Sequence, residues 1–160
     1  MGQEKEYTGI ISLGKTTPSY DLETEISISG DPGLVSDEDV LNASKDFIGE
    51  IDQVPPAYSA IRVNGERSYK KARKNQETKL EPRKVTIREF EITKISNPEV
   101  EFRLVCSKGT YVRSIAHDLG QKLGVGAHLA SLRRTRIGDY DVTSAWKIDD
   151  FVEGFRNLQK

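Results

Sequence analysis

The sequence predicts an α+β fold: a mixed, mostly antiparallel sheet flanked by a few helices. Three observations carry this prediction. Runs of β-branched residues bounded by turn residues recur along the chain. Two of them, residues 83–96 and 99–107, are separated only by Asn97 and Pro98 and so pair as an antiparallel hairpin. Stretches with helical spacing are few. A chain of 160 residues is long enough for one domain with a sizeable core.

"YTGIISLG" (7–14) and "TEISIS" (24–29) read as strands, and Pro18 makes the stretch between them a loop. "VSDEDVLNASKDFIGE" (35–50) is a helix. Ser36 caps it, acidic residues crowd its first turn, and Gly49 can end it. Its apolar stripe is Val40, Leu41, Ala43, Phe47 and Ile48. Pro55 and Pro56 then force an extended chain, and "SAIRVNG" (59–65) is a short strand ending in a turn at Asn64-Gly65. "RSYKKARKN" (67–75) makes two or three helical turns. In 83–96 the apolar positions run Val85, Ile87, then Phe90, Ile92, and this change of parity predicts a bulge near Arg88-Glu89. In 99–107, Val100, Phe102, Leu104 and Cys106 share a face, which gives Cys106 a packing role. A glycine turn at Lys108-Gly109 leads into a helix from about Tyr111 to Leu123, capped by Thr110 or Ser107 and ended by Gly124. Its stripe is Val112, Ile115, Ala116, Leu119 and Leu123, with Arg113 and His117 four apart on the flank. "HLASLRRTRIGDYDV" (128–142) is strand-like, and "KIDDFVEGFRNLQ" (147–159) a short terminal helix.

Composition narrows the function classes. No apolar run approaches a membrane span, and "MGQEKEY" is too acidic and polar for a signal peptide. One cysteine forms no internal disulfide, so a reducing cytoplasm is the simplest compartment. Only His117 and His128 could join Cys106, which argues against a structural zinc site. The net charge of −1 hides a polarity. Residues 1–54 carry 3 Lys/Arg against 12 Asp/Glu, net −9; residues 60–90 carry 10 against 4, net +6; residues 91–160 carry 11 against 9, net +2. A basic face can therefore lie within a neutral whole, although the same charges also serve plain solvation.

Three constellations could carry chemistry. The corner "CSKGTYVRSIAHDLG" (106–120) offers a glycine turn, a helix N-terminus, Lys108 and Arg113, and could hold a phosphate or carboxylate; many hairpin-to-helix connections look the same. An arginine so near a buried stripe calls for an acidic partner. "SLRRTRIG" (131–138) puts Arg134 and Arg136 on one strand face and Arg133 on the other, suited either to phosphate and base contacts or to protecting an edge strand. Arg62, Arg67, Lys70, Lys71, Arg73 and Lys74, with Tyr58 and Tyr69, combine phosphate neutralisers with stacking rings. No HExxH, Walker loop or GxSxG appears, and His117 and His128 read as surface or capping residues rather than catalysts.

"KEYTGIISLGKTTPSYDLETE", "DQVPPAYSAIRVNGERSYKKAR" and "CSKGTYVRSIAHDLGQKLGVGAHLASLRRTRIG" together closely resemble the TruB-type bacterial tRNA pseudouridine synthases, from about Lys5 to Ala145. The resemblance implies an isomerase that flips a uridine out of the tRNA T loop and converts it to pseudouridine, without metal or organic cofactor. It implies that an aspartate attacks, that Tyr7 contacts the base and accepts the proton at carbon 5, that Arg113 orients the aspartate, and that Leu132 packs on the base. Tyr58, Arg62, Lys108, Arg133 and Arg134 are then substrate-binding candidates. The family's aspartate sits in a "G-(T/R)-L-D-P" loop that these residues do not include, and Asp21 matches a later, noncatalytic aspartate. The expectations are therefore a partial catalytic domain over 1–145 that is truncated at its N-terminus and inactive alone. A helical tail over 146–160 follows, with no RNA-binding extension. Arg113 is left without its carboxylate, and apolar surface exposed by the truncation favours self-association. The alternative is an RNA-binding module without chemistry.

Overall fold

The computed structural model describes residues 3–63, 66–72 and 80–157, and only the backbone of 62, 63, 66, 67, 71 and 155–157. The strands are β1 (Lys5–Leu13), β2 (Lys15–Thr16), β3 (Ser27–Ile28), β4 (Gly49–Gln53), β5 (Arg62–Val63), β6 (Glu66–Arg67), β7 (Arg83–Ser96), β8 (Glu99–Cys106), β9 (Ala127–Ile137) and β10 (Tyr140–Asp141). The helices are α1 (Asp37–Lys45), α2 (Ser68–Ala72), α3 (Val112–Lys122) and α4 (Ile148–Asn157). Six strands form one sheet in the order β10-β9-β1-β8-β7-β4, and every pairing within it is antiparallel. The expected mixture of directions is thus absent from this sheet.

The hairpin of β7 and β8 forms as expected, with its bulge between Ile87 and Glu89 and a second between Ile92 and Lys94. Val100, Phe102, Leu104 and Cys106 face one side and are almost fully buried. α1 and α3 cover that side, and α3 contributes Val112, Ile115, Ala116 and Leu119 to the same core. Ser36 caps α1 through a reciprocal box with Asp39.

Four local expectations give way. The strand over 24–29 shrinks to Ser27–Ile28, paired only with β2, because it lies outside the main sheet. α1 stops at Lys45, so Leu41 and Ile48 stay exposed while Val40, Ala43 and Phe47 are buried. Gly49 instead opens β4, an edge strand whose alternating charges hid it. α3 has no side-chain cap from Thr110 or Ser107; its N-cap is Tyr111. The buried Gln53 amide does the capping: its Oε1 accepts from Tyr111 N–H at 2.8 Å and its Nε2 donates to Tyr111 C=O at 3.1 Å. The Asn64-Gly65 turn, Arg73 and Lys74 lie outside the described residues, and the side chains of Arg62, Arg67 and Lys71 likewise.

Candidate functional site

β1 runs through the middle of the sheet between β8 and β9. Tyr7 pairs with Leu104 on one side and Arg134 on the other, and Gly9 pairs with Leu132. Paired residues share a face and the strand period is two, so Tyr7, Leu132 and Arg134 lie on one face. It is the face α3 covers, since Leu104 belongs to the core beneath that helix and Tyr7 packs against it. Leu132 remains 44% exposed there. Burial pushes the Tyr7 phenol above its usual pKa, and nearby Cys106 adds to the rise; the Arg134 guanidinium at the hydroxyl pulls the other way and is outweighed.

The triple arginine is not arranged as a regular strand would place it. Glu6 pairs with Arg136 and Tyr7 with Arg134, so the register shifts at Thr135. This bulge turns Arg136 to the opposite face from Arg134. There Arg136 bonds Glu4 at 3.0 Å, and Thr135 donates to Glu6 at 2.7 Å. Arg133 pairs with Thr8 and also lies on that outer face. Only Arg134 of the three sits beside Tyr7.

Arg113 has an acidic partner, as its place beside the buried stripe called for, but that partner is Asp21 and not the aspartate of the family's catalytic loop. Its Nη1 donates to Asp21 Oδ2 at 2.9 Å and to the Ser19 carbonyl at 3.3 Å, and its Nη2 donates to the Tyr58 carbonyl at 2.9 Å. The reason is the turn at 17–24, which folds back onto α3. Asp21 is fixed there from its other oxygen, which accepts from Ser19 Oγ at 2.6 Å and from Glu23 N–H at 2.9 Å. Thr17 Oγ1 donates to the Asp21 carbonyl at 2.6 Å. The segment after Gln53 is laid along the first turn of α3: Ser114 Oγ donates to the Val54 carbonyl at 2.8 Å, and the Tyr58 carbonyl meets Arg113. Tyr58 therefore enters the site through its backbone.

The histidines are structural. His128 is 2% exposed, not a surface residue, and its Nδ1 lies 3.0 Å from the Lys15 carbonyl. His117 is half-buried, stacked on Tyr20, and desolvation lowers its pKa. Lys108 is exposed at the tip of the glycine turn, where Gly109 takes φ +91°. Among the described residues no cluster of His, Cys, Asp or Glu is arranged for a metal, and no helix is long and apolar enough to cross a membrane. Sequence reasoning passed over Asp21 and Gln53. The flanking Ser19, Thr17 and Thr24 were a usable sign of a hydrogen-bonded turn around Asp21; Gln53 had none beyond its place before the prolines.

Residues 1–112 match the TruB family pseudouridylate synthase N-terminal domain, and residues 113–159 the tRNA pseudouridylate synthase B C-terminal domain. The chain is 52% identical over 156 residues to tRNA pseudouridine synthase B of Flavobacterium johnsoniae, covering 98% of this chain and 68% of that one. It is 50% identical over 149 residues to the Bacteroides fragilis protein of the same name, covering 93% and 64%. The chain thus spans about two thirds of the length of these relatives. Among solved structures, it superposes on a Cbf5-Nop10-Gar1 complex with a TM-score of 0.70 at 28% identity, covering 98% of this chain and 37% of that one. An H/ACA RNP bound to a substrate RNA containing 2'-deoxyuridine gives a TM-score of 0.66 at 25% identity, covering 98% and 35%.

Proposed function

The chain belongs to the TruB family of pseudouridylate synthases, and we propose that it forms one wall of the active site of a tRNA pseudouridine synthase B. The reaction is the isomerisation of uridine-55 in the tRNA T loop to pseudouridine, in the cytoplasm. One observation carries the reading: Tyr7, Leu132 and Arg134 share the sheet face covered by α3, the helix that carries Arg113.

The chemistry distributes as follows. A flipped uridine needs an apolar surface and a ring to lie against, which exposed Leu132 and Tyr7 offer. An aspartate attacks the sugar, the glycosidic bond breaks, and the freed base turns and rejoins the sugar through carbon 5. The sugar–aspartate bond breaks as carbon 5 rejoins, and the proton at carbon 5 then leaves to Tyr7. A phenol held neutral at pH 7 accepts this proton only as its own O–H passes to the base nitrogen that the sugar has left, and Arg134 beside the hydroxyl eases the passing charge on the phenolate. Arg113 uses three of its five N–H donors on Asp21, Ser19 and Tyr58, which leaves two for the reacting carboxylate. Asp21 is not that nucleophile, because both its oxygens are engaged. The family's aspartate loop is not among these 160 residues. Tyr58, Arg62 and Lys108 contact the T stem-loop, while outer-face Arg133 does not reach the uridine.

The experiment is a titration of the chain with a T stem-loop RNA hairpin and with a scrambled hairpin, at two salt concentrations. Preferred, salt-sensitive binding of the T stem-loop with no pseudouridine formed is the expected result. Equal affinity for both hairpins would overturn the reading. Turnover by the 160-residue chain would assign the nucleophile to a carboxylate within it.

A further inference from the structure

We propose that the stack of Tyr20 on His117 is a positioning device: it locks the turn that delivers Asp21 and the Ser19 carbonyl to Arg113. The inference rests on the reading of Arg113 as the group that addresses the reacting carboxylate.

Arg113 and His117 are four apart on α3 and so lie on neighbouring turns of one helix face. The tripeptide Ser19-Tyr20-Asp21 spans both. Ser19 and Asp21 meet the guanidinium, and the Tyr20 ring meets the imidazole with centroids 3.8 Å apart and planes 13° from parallel. Tyr20 has φ +66°, the only non-glycine residue in the left-handed region among the described residues. A ringed side chain adopts that backbone only where the surroundings hold it there. What holds it is visible. The Tyr20 carbonyl accepts from Leu129 N–H at 2.9 Å, and its own N–H donates to the Thr17 carbonyl at 3.1 Å. Pro18 and Leu22 are exposed, so the Tyr20 ring is the apolar anchor of this polar turn.

His117 suits the task for a second reason. Its Nδ1 is buried and has no hydrogen-bond partner among the described residues, and desolvation keeps the ring neutral. A neutral ring with one face covered is poorly placed for proton transfer and well placed as a flat support. Without that support, the strained Tyr20 backbone is held by its hydrogen bonds to Thr17 and Leu129 alone, and its relaxation swings the flanking residues away from Arg113.

The test reads Arg113 itself in the ligand-free chain by ¹⁵N NMR of guanidinium groups, so it is independent of any RNA activity. Arg113→Lys identifies the signals. In the wild type, Nη protons held by Asp21, Ser19 and Tyr58 are expected as separate lines. Tyr20→Phe keeps the ring and should keep those lines. Tyr20→Leu and His117→Leu remove the stack while retaining apolar bulk; both should average the lines and speed hydrogen exchange at Leu129 N–H by about tenfold or more. The fold's melting should change far less. If Tyr20→Leu does not fold, His117→Leu decides. Unchanged Arg113 lines in the folded stack-less variant would overturn the proposal. So would averaging in Tyr20→Phe, which would assign the effect to the hydroxyl. RNA binding lost at the wild-type level, with the NMR result as expected, would instead remove the functional reading alone.

Discussion

Replacing Asp118 by asparagine should stabilise the protein at neutral pH and do nothing in acid. Asp118 lies on α3 beside His117, and burial raises its pKa from 3.8 to about 6. No other cause contributes. A group that binds its proton more tightly when folded makes stability fall as pH rises through the interval between the two pKa values. Here that interval runs from about 4 to about 6. Above it the folded state carries a poorly solvated carboxylate; below it the group is neutral in both states and costs nothing. A shift of about two units corresponds to a ceiling of about 3 kcal/mol. The carboxyl keeps partial access to water, which screens the penalty, so about 1–2 kcal/mol is the realistic figure. For a domain of this size that is a rise of roughly 2–8 °C in melting temperature. The assay is thermal unfolding of the wild type and Asp118→Asn at pH 7.5, 6 and 4.5. The gain should be largest at pH 7.5 and shrink towards pH 4.5. A variant that melts lower at pH 7.5, or whose gain is the same at every pH, would refute the reasoning.

Two further perturbations test the packing and the ion pair. A Cβ at Gly120 would lie 2.1 Å from Ala127 N and 2.4 Å from Gly126 C, so Gly120→Ala must push α3 off β9. It should cost about 2 kcal/mol or more in urea unfolding, despite a gain in helix propensity of about 1 kcal/mol; an increase in stability would show that the close approach is wrong. Arg113→Lys keeps the charge but cannot reach Asp21, Ser19 and Tyr58 together. Its expected loss is about 1–2 kcal/mol in the same assay, with T stem-loop affinity changed less than about threefold. An affinity loss larger than that would make Arg113 a binding rather than an orienting residue.

Much of the fold was legible because its signals are local. Alternation marks the buried row of β8, the parity break in β7 announces its bulge, and Ser36 with Asp39 starts α1 where expected. β4 escaped because an edge strand needs to bury little, so "GEIDQ" shows no apolar pattern. The site was legible in part. Tyr7, Leu132 and Arg134, which the family resemblance proposes for the site, share one sheet face. The partner of Arg113 did not follow from it.

Taken by itself, the amino-acid order determined the strand and helix periods, the Ser36 cap of α1, the glycine turn at Lys108-Gly109, and the family to which the motifs belong. Each of these is decided within a few residues along the chain. The tertiary structure alone decided three things. Asp21 fills the place beside Arg113, Gln53 caps α3 from 58 positions away, and one bulge at Thr135 sends Arg136 to the far face. Such outcomes depend on which distant groups are brought within about 3 Å of one another and on sheet register, where a shift of one residue reverses every face.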